Sequence, residues 1–400
     1  MSTVLSTTEK SKLDDIRRRM QWYVDNEHIP CCSYLLAKSG HLIDQQCLGF
    51  ADRRAGLALT NESIFRIYSN TKLIVSLAAM LLVERGQIAL DNPISDIIAG
   101  FNDLRVLQEN ATDIDQTEAL QRPVTLRHLL SHTAGFSYGF IDPTTLLDKH
   151  YLSNGINLLN PYKGDLQAFV DQIIHLPLAF QPGTNWRYSV ATDIVGFIIE
   201  SVAGQSLDEF LCHNIFEPLG MTHTGFQVAP EKRHRIVCLA QANDMYRPMG
   251  AGYSERSVEV ALPPGEPSQF MSGGGGLYST AHDYFKFLQL IEARGKWCGE
   301  QIIRRQTLND MLTDQLPPGV GLTFPMWQLP GVDFGLGFAI KARGTAASDS
   351  SGCYFWGGMA GTHSWVFDNG VIALCMTQMM PSFLHPFSAD FEKLAAQLTF

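Results

Sequence analysis

The sequence predicts an α+β fold in which the two ends of the chain build one antiparallel sheet and a mainly helical lobe is inserted between them. Three observations carry this expectation. Strand-like hairpins lie near both termini, and helical periodicity flanks them. The stretch from about 90 to 270 reads instead as helices joined by loops rich in Pro, Gly and Asn. With 400 residues, the chain is long enough for two lobes around a large core. The expected division is residues 1–90 and 271–400 for the sheet lobe and 91–270 for the insertion.

The elements follow in order. Leu13, Ile16, Met20 and Tyr23 recur at helical spacing and predict a first helix near 9–27. SYLLA and LIDQQCLGF then flank the turn Lys38-Ser39-Gly40-His41, which reads as a hairpin. Strong helix formers run from Asn70 to Arg85 and stop at Gly86, a C-cap residue. LQAFVDQIIHL and the run after Tyr188 predict helices in the insertion. Ser206-Leu207-Asp208-Glu209 is a capping box, and Thr280-Ala281-His282-Asp283 opens a helix in the same style. HSWVFD and VIALCMTQ around Asn369-Gly370 form a second hairpin signal. Phe387, Phe391, Leu394 and Leu398 mark one face of a terminal helix.

Composition narrows the function. Hydrophobic residues make up 45% and charged residues 18%, as in an ordinary soluble globular chain. No apolar run is long enough to span a membrane, and the polar N-terminus lacks the apolar segment of a secretory signal, so a cytoplasmic protein is expected. A net charge of -10 without a basic run argues against nucleic acid as a partner. The eight cysteines are scattered and form no CxxC pair, which predicts free thiols in a reducing compartment. His132, His223 and His363 show no metal-ligand spacing, so neither metal nor cofactor is expected.

Three places can carry chemistry. Ser69 and Lys72 are three residues apart at the start of a helix, where they share a face and the helix dipole favours a developing alkoxide. Leu73, Ile74 and Val75 imply burial around Lys72, and burial disfavours an ammonium and favours a basic amine. Tyr188 follows the turn Gln181-Pro182-Gly183 at a helix entrance; it becomes a useful base only beside a cation, which Lys72 would supply. Trp356-Gly357-Gly358-Met359 ends an apolar strand, and its glycines would let a substrate approach the strand edge. A backbone N–H there could join that of Ser69 as an oxyanion hole. His363, just past that edge, is a candidate for the cleft, as is Tyr138.

Two other patterns carry less. Gly135-Phe136-Ser137-Tyr138-Gly139 fits the G-x-S-x-G nucleophile elbow, but LRHLLSHTA before it reads as helix and loop where the elbow needs a strand. Ser272 to Gly276 is Gly-rich yet lacks the Lys-Ser/Thr of a phosphate loop, and reads as a loop beside the site.

Ser69-Asn70-Thr71-Lys72, Tyr188-Ser189 and Trp356-Gly357-Gly358 occur in an order that resembles the class C β-lactamase and penicillin-binding-protein superfamily, whose Ser-x-x-Lys element is a known motif. The nearer resemblance is to family VIII carboxylesterases, supported by VTLRHLLSHTAGF, IFEPLGMTHTGF and GGGLYSTAHDYFKFL, and it spans nearly the whole chain. It implies a β-lactamase-like fold and a cofactor-free esterase. Ser69 would carry the acyl group, and Lys72 would take its proton or hold Tyr188 as phenolate. Tyr188 would protonate the leaving alcohol and activate the deacylating water, with the N–H groups of Ser69 and Met359 on the oxyanion. Tyr138, Trp356, Gly357, Gly358 and His363 would contact substrate. Two departures bear on substrate choice. Trp356 stands where the β-lactamase strand usually has lysine, and Val190 where asparagine usually follows the tyrosine. Both favour small neutral esters over anionic β-lactams and peptides. Acyl transfer to an alcohol or amine, weak β-lactam hydrolysis and a non-catalytic scaffold are the alternatives. No oligomeric state follows from these residues.

Overall fold

The computed structural model describes residues 6–156, 163–254, 265–324, 327–344 and 351–398. Eight strands form the central antiparallel sheet. They are β1 (Cys31–Lys38), β2 (His41–Asp52), β3 (Leu57–Ala58), β4 (Val332–Phe334), β5 (Ala339–Lys341), β6 (Cys353–Gly358), β7 (Thr362–Phe367) and β8 (Val371–Met376). Their spatial order is β4-β5-β6-β7-β8-β1-β2-β3. The two ends of the chain therefore meet along β1 and β8, where Leu35 lies opposite Leu374.

Helices cover both faces of this sheet. The ones that matter here are α1 (Thr7–Asp25), α2 (Thr71–Glu84), α3 (Ala191–Ala203), α4 (Ala281–Glu292) and α5 (Phe387–Ala395). Successive strand residues point to opposite faces, so a strand with helices on both sides must be apolar throughout. β8, VIALCM, is buried at every position. Ile372 and Leu374 face α4 and join the core cluster that also holds α2, whereas Ala373 and Cys375 cluster with Leu13, Ile16 and Met20 of α1 and Phe387 and Phe391 of α5. α1 begins two residues before the expected start because Ser6 and Glu9 form a capping box ahead of the first apolar residue. α2 is buried from Thr71 to Leu82, as a helix apolar on all sides must be.

The middle of the chain contains α3, ended by Gly204 in the left-handed region, and the short helices Leu166–Ile173 and Leu207–Leu211. Its strand Ala240–Ala242 pairs in parallel with Met379–Met380, so the middle of the chain returns to the C-terminal end. Among the described residues, no helix is long and apolar enough to cross a membrane.

Burial pushes His128, His363 and His385 down to about 4. Each is neutral in the fold at pH 7, and unfolding lets it take up a proton below its ordinary value of 6.5. The unfolded state then binds more protons, so stability falls as pH drops through the window from 6.5 to about 4, by on the order of 3 kcal/mol per group at its lower end. Urea midpoints at pH 7 and pH 5 should differ accordingly, and His385→Gln should flatten the dependence. Equal midpoints for the native protein would mean that these imidazoles are solvated.

Candidate active site

Ser69 does not cap the helix. It sits in a short 3-10 turn, Tyr68–Asn70, that leads into α2. Tyr68 adopts φ +44°, a left-handed conformation that costs a bulky residue about 1–2 kcal/mol. The surroundings hold that turn. Asn70 Nδ2 donates to the Thr362 carbonyl at 2.9 Å, Ser364 Oγ donates to Asn70 Oδ1 at 3.2 Å, and Thr362 Oγ1 donates to the Ile67 carbonyl at 3.0 Å. The serine turn is thus tied to β7 by buried polar side chains. Among the described residues, the Ser69 hydroxyl itself makes no hydrogen bond.

Lys72, one helical turn on, is 1% exposed. Its Nζ donates to the Gly274 carbonyl at 2.6 Å and to Tyr138 Oη at 3.0 Å. It also lies 4.8 Å from the centre of the Tyr188 ring. The fold therefore brings the Lys72 amine over the face of the Tyr188 ring. Tyr188 is buried among His132, Tyr138, Phe324 and Trp356. Trp356 Nε1 donates to Tyr188 Oη at 3.4 Å, so the residue that stands in for a lysine serves the phenol.

β6 supplies the third side of the site. Its register with β5 ends at Phe355, which leaves Trp356 to Gly358 free along that edge. The glycines also have a reason within the fold. A Cβ on Gly357 would lie 2.3 Å from His363 Nδ1, and one on Gly358 would lie 2.4 Å from the Ile67 carbonyl oxygen. The space they leave is filled by the protein, and it lets β6 press against the serine turn. Ser382 fixes the next peptide, donating to the Met359 carbonyl from its N–H at 3.1 Å and its Oγ at 2.9 Å. Gly358→Ala must move the backbone of the serine turn. Displacements of about 1 Å cost on the order of 100-fold, so kcat on a simple ester should fall by roughly that factor. A variant with native kcat would show that the turn and strand need not touch.

A cavity of about 340 Å³ opens at Ser69 and Tyr188 and runs along this edge. Phe140, Ile141, Phe324, Leu329 and Phe355 line it with Trp356, Gly357, Gly358, Met359 and His363. Among the described residues, no lysine or arginine does so; Glu392, paired with Lys341 at 2.8 Å, is the charged member.

One expectation changes in detail, and one discounted pattern finds a structural role. Tyr138, expected at the substrate, does not line the cavity; its hydroxyl is taken by the buried Lys72 ammonium, a stronger partner than a passing ester. Ser137 is fully buried, donates to Asp148 Oδ1 at 2.5 Å and accepts from Arg187 Nε at 2.7 Å, which makes it part of a structural ion pair. The sequence did not single out Asp193, which accepts from Ser272 Oγ at 2.6 Å and Gly274 N at 2.9 Å. Burial raises this carboxyl above its usual range, and the charge of Lys72 opposes that rise.

The β-lactamase family matches residues 16–397. The chain belongs to that family. Esterase EstB of Burkholderia gladioli is 31% identical over 86% of this chain and 84% of its own length. In structure, EstCE1, described as a hydrolase with promiscuous acyltransferase activity, superposes with a TM-score of 0.81 at 23% identity, covering 99% of this chain and 100% of its own. Unliganded simvastatin synthase (LovD) of Aspergillus terreus gives 0.79 at 22% identity, over 96% and 98%. Within the β-lactamase family, the resemblance to family VIII carboxylesterases therefore holds across nearly the full chain.

Proposed function

We propose that this chain is a serine esterase that hydrolyses small, neutral carboxylic esters through an acyl-enzyme on Ser69. The observation that carries this reading is the convergence of Ser69 and Tyr188 on one apolar cavity, with the Lys72 ammonium 4.8 Å from the Tyr188 ring. Ser69 Oγ attacks the ester carbonyl and its proton passes to the Lys72–Tyr188 pair. The N–H groups of Ser69 and Met359 hold the oxyanion, and collapse expels the alcohol, which takes that proton. Water repeats the sequence and releases the acid. We assign the base to the Lys72–Tyr188 pair as a unit. Among the described residues no lysine or arginine lines the cavity, which supports uncharged acyl groups and weak β-lactam hydrolysis at most.

The test is intact-mass spectrometry with peptide mapping after treatment with a fluorophosphonate. One adduct on the peptide bearing Ser69 is the expected result. An adduct on Ser137, or none, overturns the reading, and none would favour a non-catalytic scaffold. The relationship to a hydrolase with promiscuous acyltransferase activity favours a second reading, in which an alcohol replaces water in the last step. New esters formed on adding short alcohols would establish it. We further place the lobe boundaries at 1–90 and 271–400 against 91–270, because the central sheet draws its strands from Cys31–Ala58 and Val332–Met376. A cytoplasmic setting is supported by eight free thiols, including Cys32 and Cys375, whose sulfurs are unbridged at 3.6 Å.

A further inference from the structure

We infer that Asp193 is a positioning residue of this esterase, which clamps the Ser272–Gly276 loop so that the Gly274 carbonyl aims Lys72, and which supplies the buried counter-charge of the Lys72–Tyr188 pair. The inference rests on the esterase reading above and deepens it.

Asp193 is the third residue of α3, where an acidic side chain would ordinarily face the helix's own free N–H groups. Besides its own N–H, it reaches a loop some eighty positions away, and it is 3% exposed. Both donors, Ser272 Oγ and Gly274 N, fall on Oδ1. Oδ2 lies against the Gly274 Cα: a Cβ there would meet it at 2.6 Å and Tyr138 Oη at 2.9 Å, so no other residue fits at that point. Gly274 thus binds the carboxylate through its N–H and the ammonium through its carbonyl, at 2.9 and 2.6 Å. A buried carboxylate needs a compensating cation, and Lys72 is the one whose charge acts on it. The titratable groups facing Lys72 are Tyr138, Tyr188, His132 and Asp193. His132 is held neutral by burial, which leaves Asp193 as the anion.

Asp193→Asn keeps an acceptor for Ser272 and Gly274 and removes the charge. Losing that anion makes the neighbouring cationic pair easier to deprotonate. The acidic limb of kcat/KM should then move to lower pH by about half a unit or more, with kcat reduced about tenfold and KM within about twofold. Asp193→Ala, which also releases the loop, should lose about tenfold more. Ser272→Ala loosens the clamp and keeps the charge, so kcat should fall about threefold with the limb unmoved. Profiles from pH 5 to 9 on p-nitrophenyl acetate, with melting curves for each variant, read this out. A native-like acidic limb in Asp193→Asn overturns the charge role. Native kcat in Ser272→Ala overturns the clamp, and does so even where Asp193→Ala fails to fold. If the native protein takes no fluorophosphonate on Ser69, the esterase reading itself fails. Labelling of Ser69 with unchanged variants sinks this inference alone.

Discussion

Ser69→Ala is expected to lower kcat on simple esters by roughly 10,000-fold or more, while shifting the melting temperature by no more than about 2 °C. Both halves follow from the geometry. The hydroxyl removed is the atom that would bond to the acyl carbon, and neither Lys72 nor Tyr188 can replace it from its place in the wall. Yet Oγ has no hydrogen-bond partner among the described residues, so its loss leaves no buried group unpaired. The turn stays fixed through Asn70 and Thr362, and the backbone N–H at position 69 remains. Burst kinetics and a thermal melt on the purified variant check both halves. Activity within tenfold of native would place the nucleophile elsewhere.

Lys72→Met is expected to behave differently, losing both activity and stability. Methionine matches the length of the stem but offers no donor. The Gly274 carbonyl and Tyr138 Oη lose their partner, and the buried Asp193 loses its cation. Removing one member of a buried charge pair costs about 3 kcal/mol, and loss of the proton-handling group should cost kcat roughly 1,000-fold or more. Urea denaturation and steady-state kinetics separate the two effects. An inactive variant of native stability would mean that Asp193 carries no charge in the fold. A stable and active one would remove Lys72 from the mechanism.

What the residues alone could convey depends on the range of the interaction. The hairpin at Asn369-Gly370 and the helix after Asn70 are written in local chemistry, a turn dipeptide and a run of helix formers, and both stand where expected. Ser69, Lys72 and Tyr188 lie in short motifs and are brought to one site. Asp193 had no such signal. On its own helix it is an ordinary first-turn acid, and its partners are distant in the chain. Gly357 and Gly358 announced a close approach but not that Ile67 and His363 make it, because those contacts depend on the packing of the serine turn and β7. Tyr138 likewise reads as a cleft residue until the long-range position of Lys72 is known.

The closure of the sheet by β1 against β8 also has a temporal side. Cys32 and Cys375, in contact across that seam, are 343 positions apart. At a synthesis rate of about 5–20 residues per second, the first hairpin leaves the ribosome roughly 20–70 seconds before its neighbour exists. Throughout that interval the apolar edge of CCSYLLA has no strand beside it, and β7, to which the Ser69 turn is tied, has not been made. A nascent chain of this protein is therefore inactive until β7 and β8 have been made, and β1 keeps an uncovered apolar edge until then.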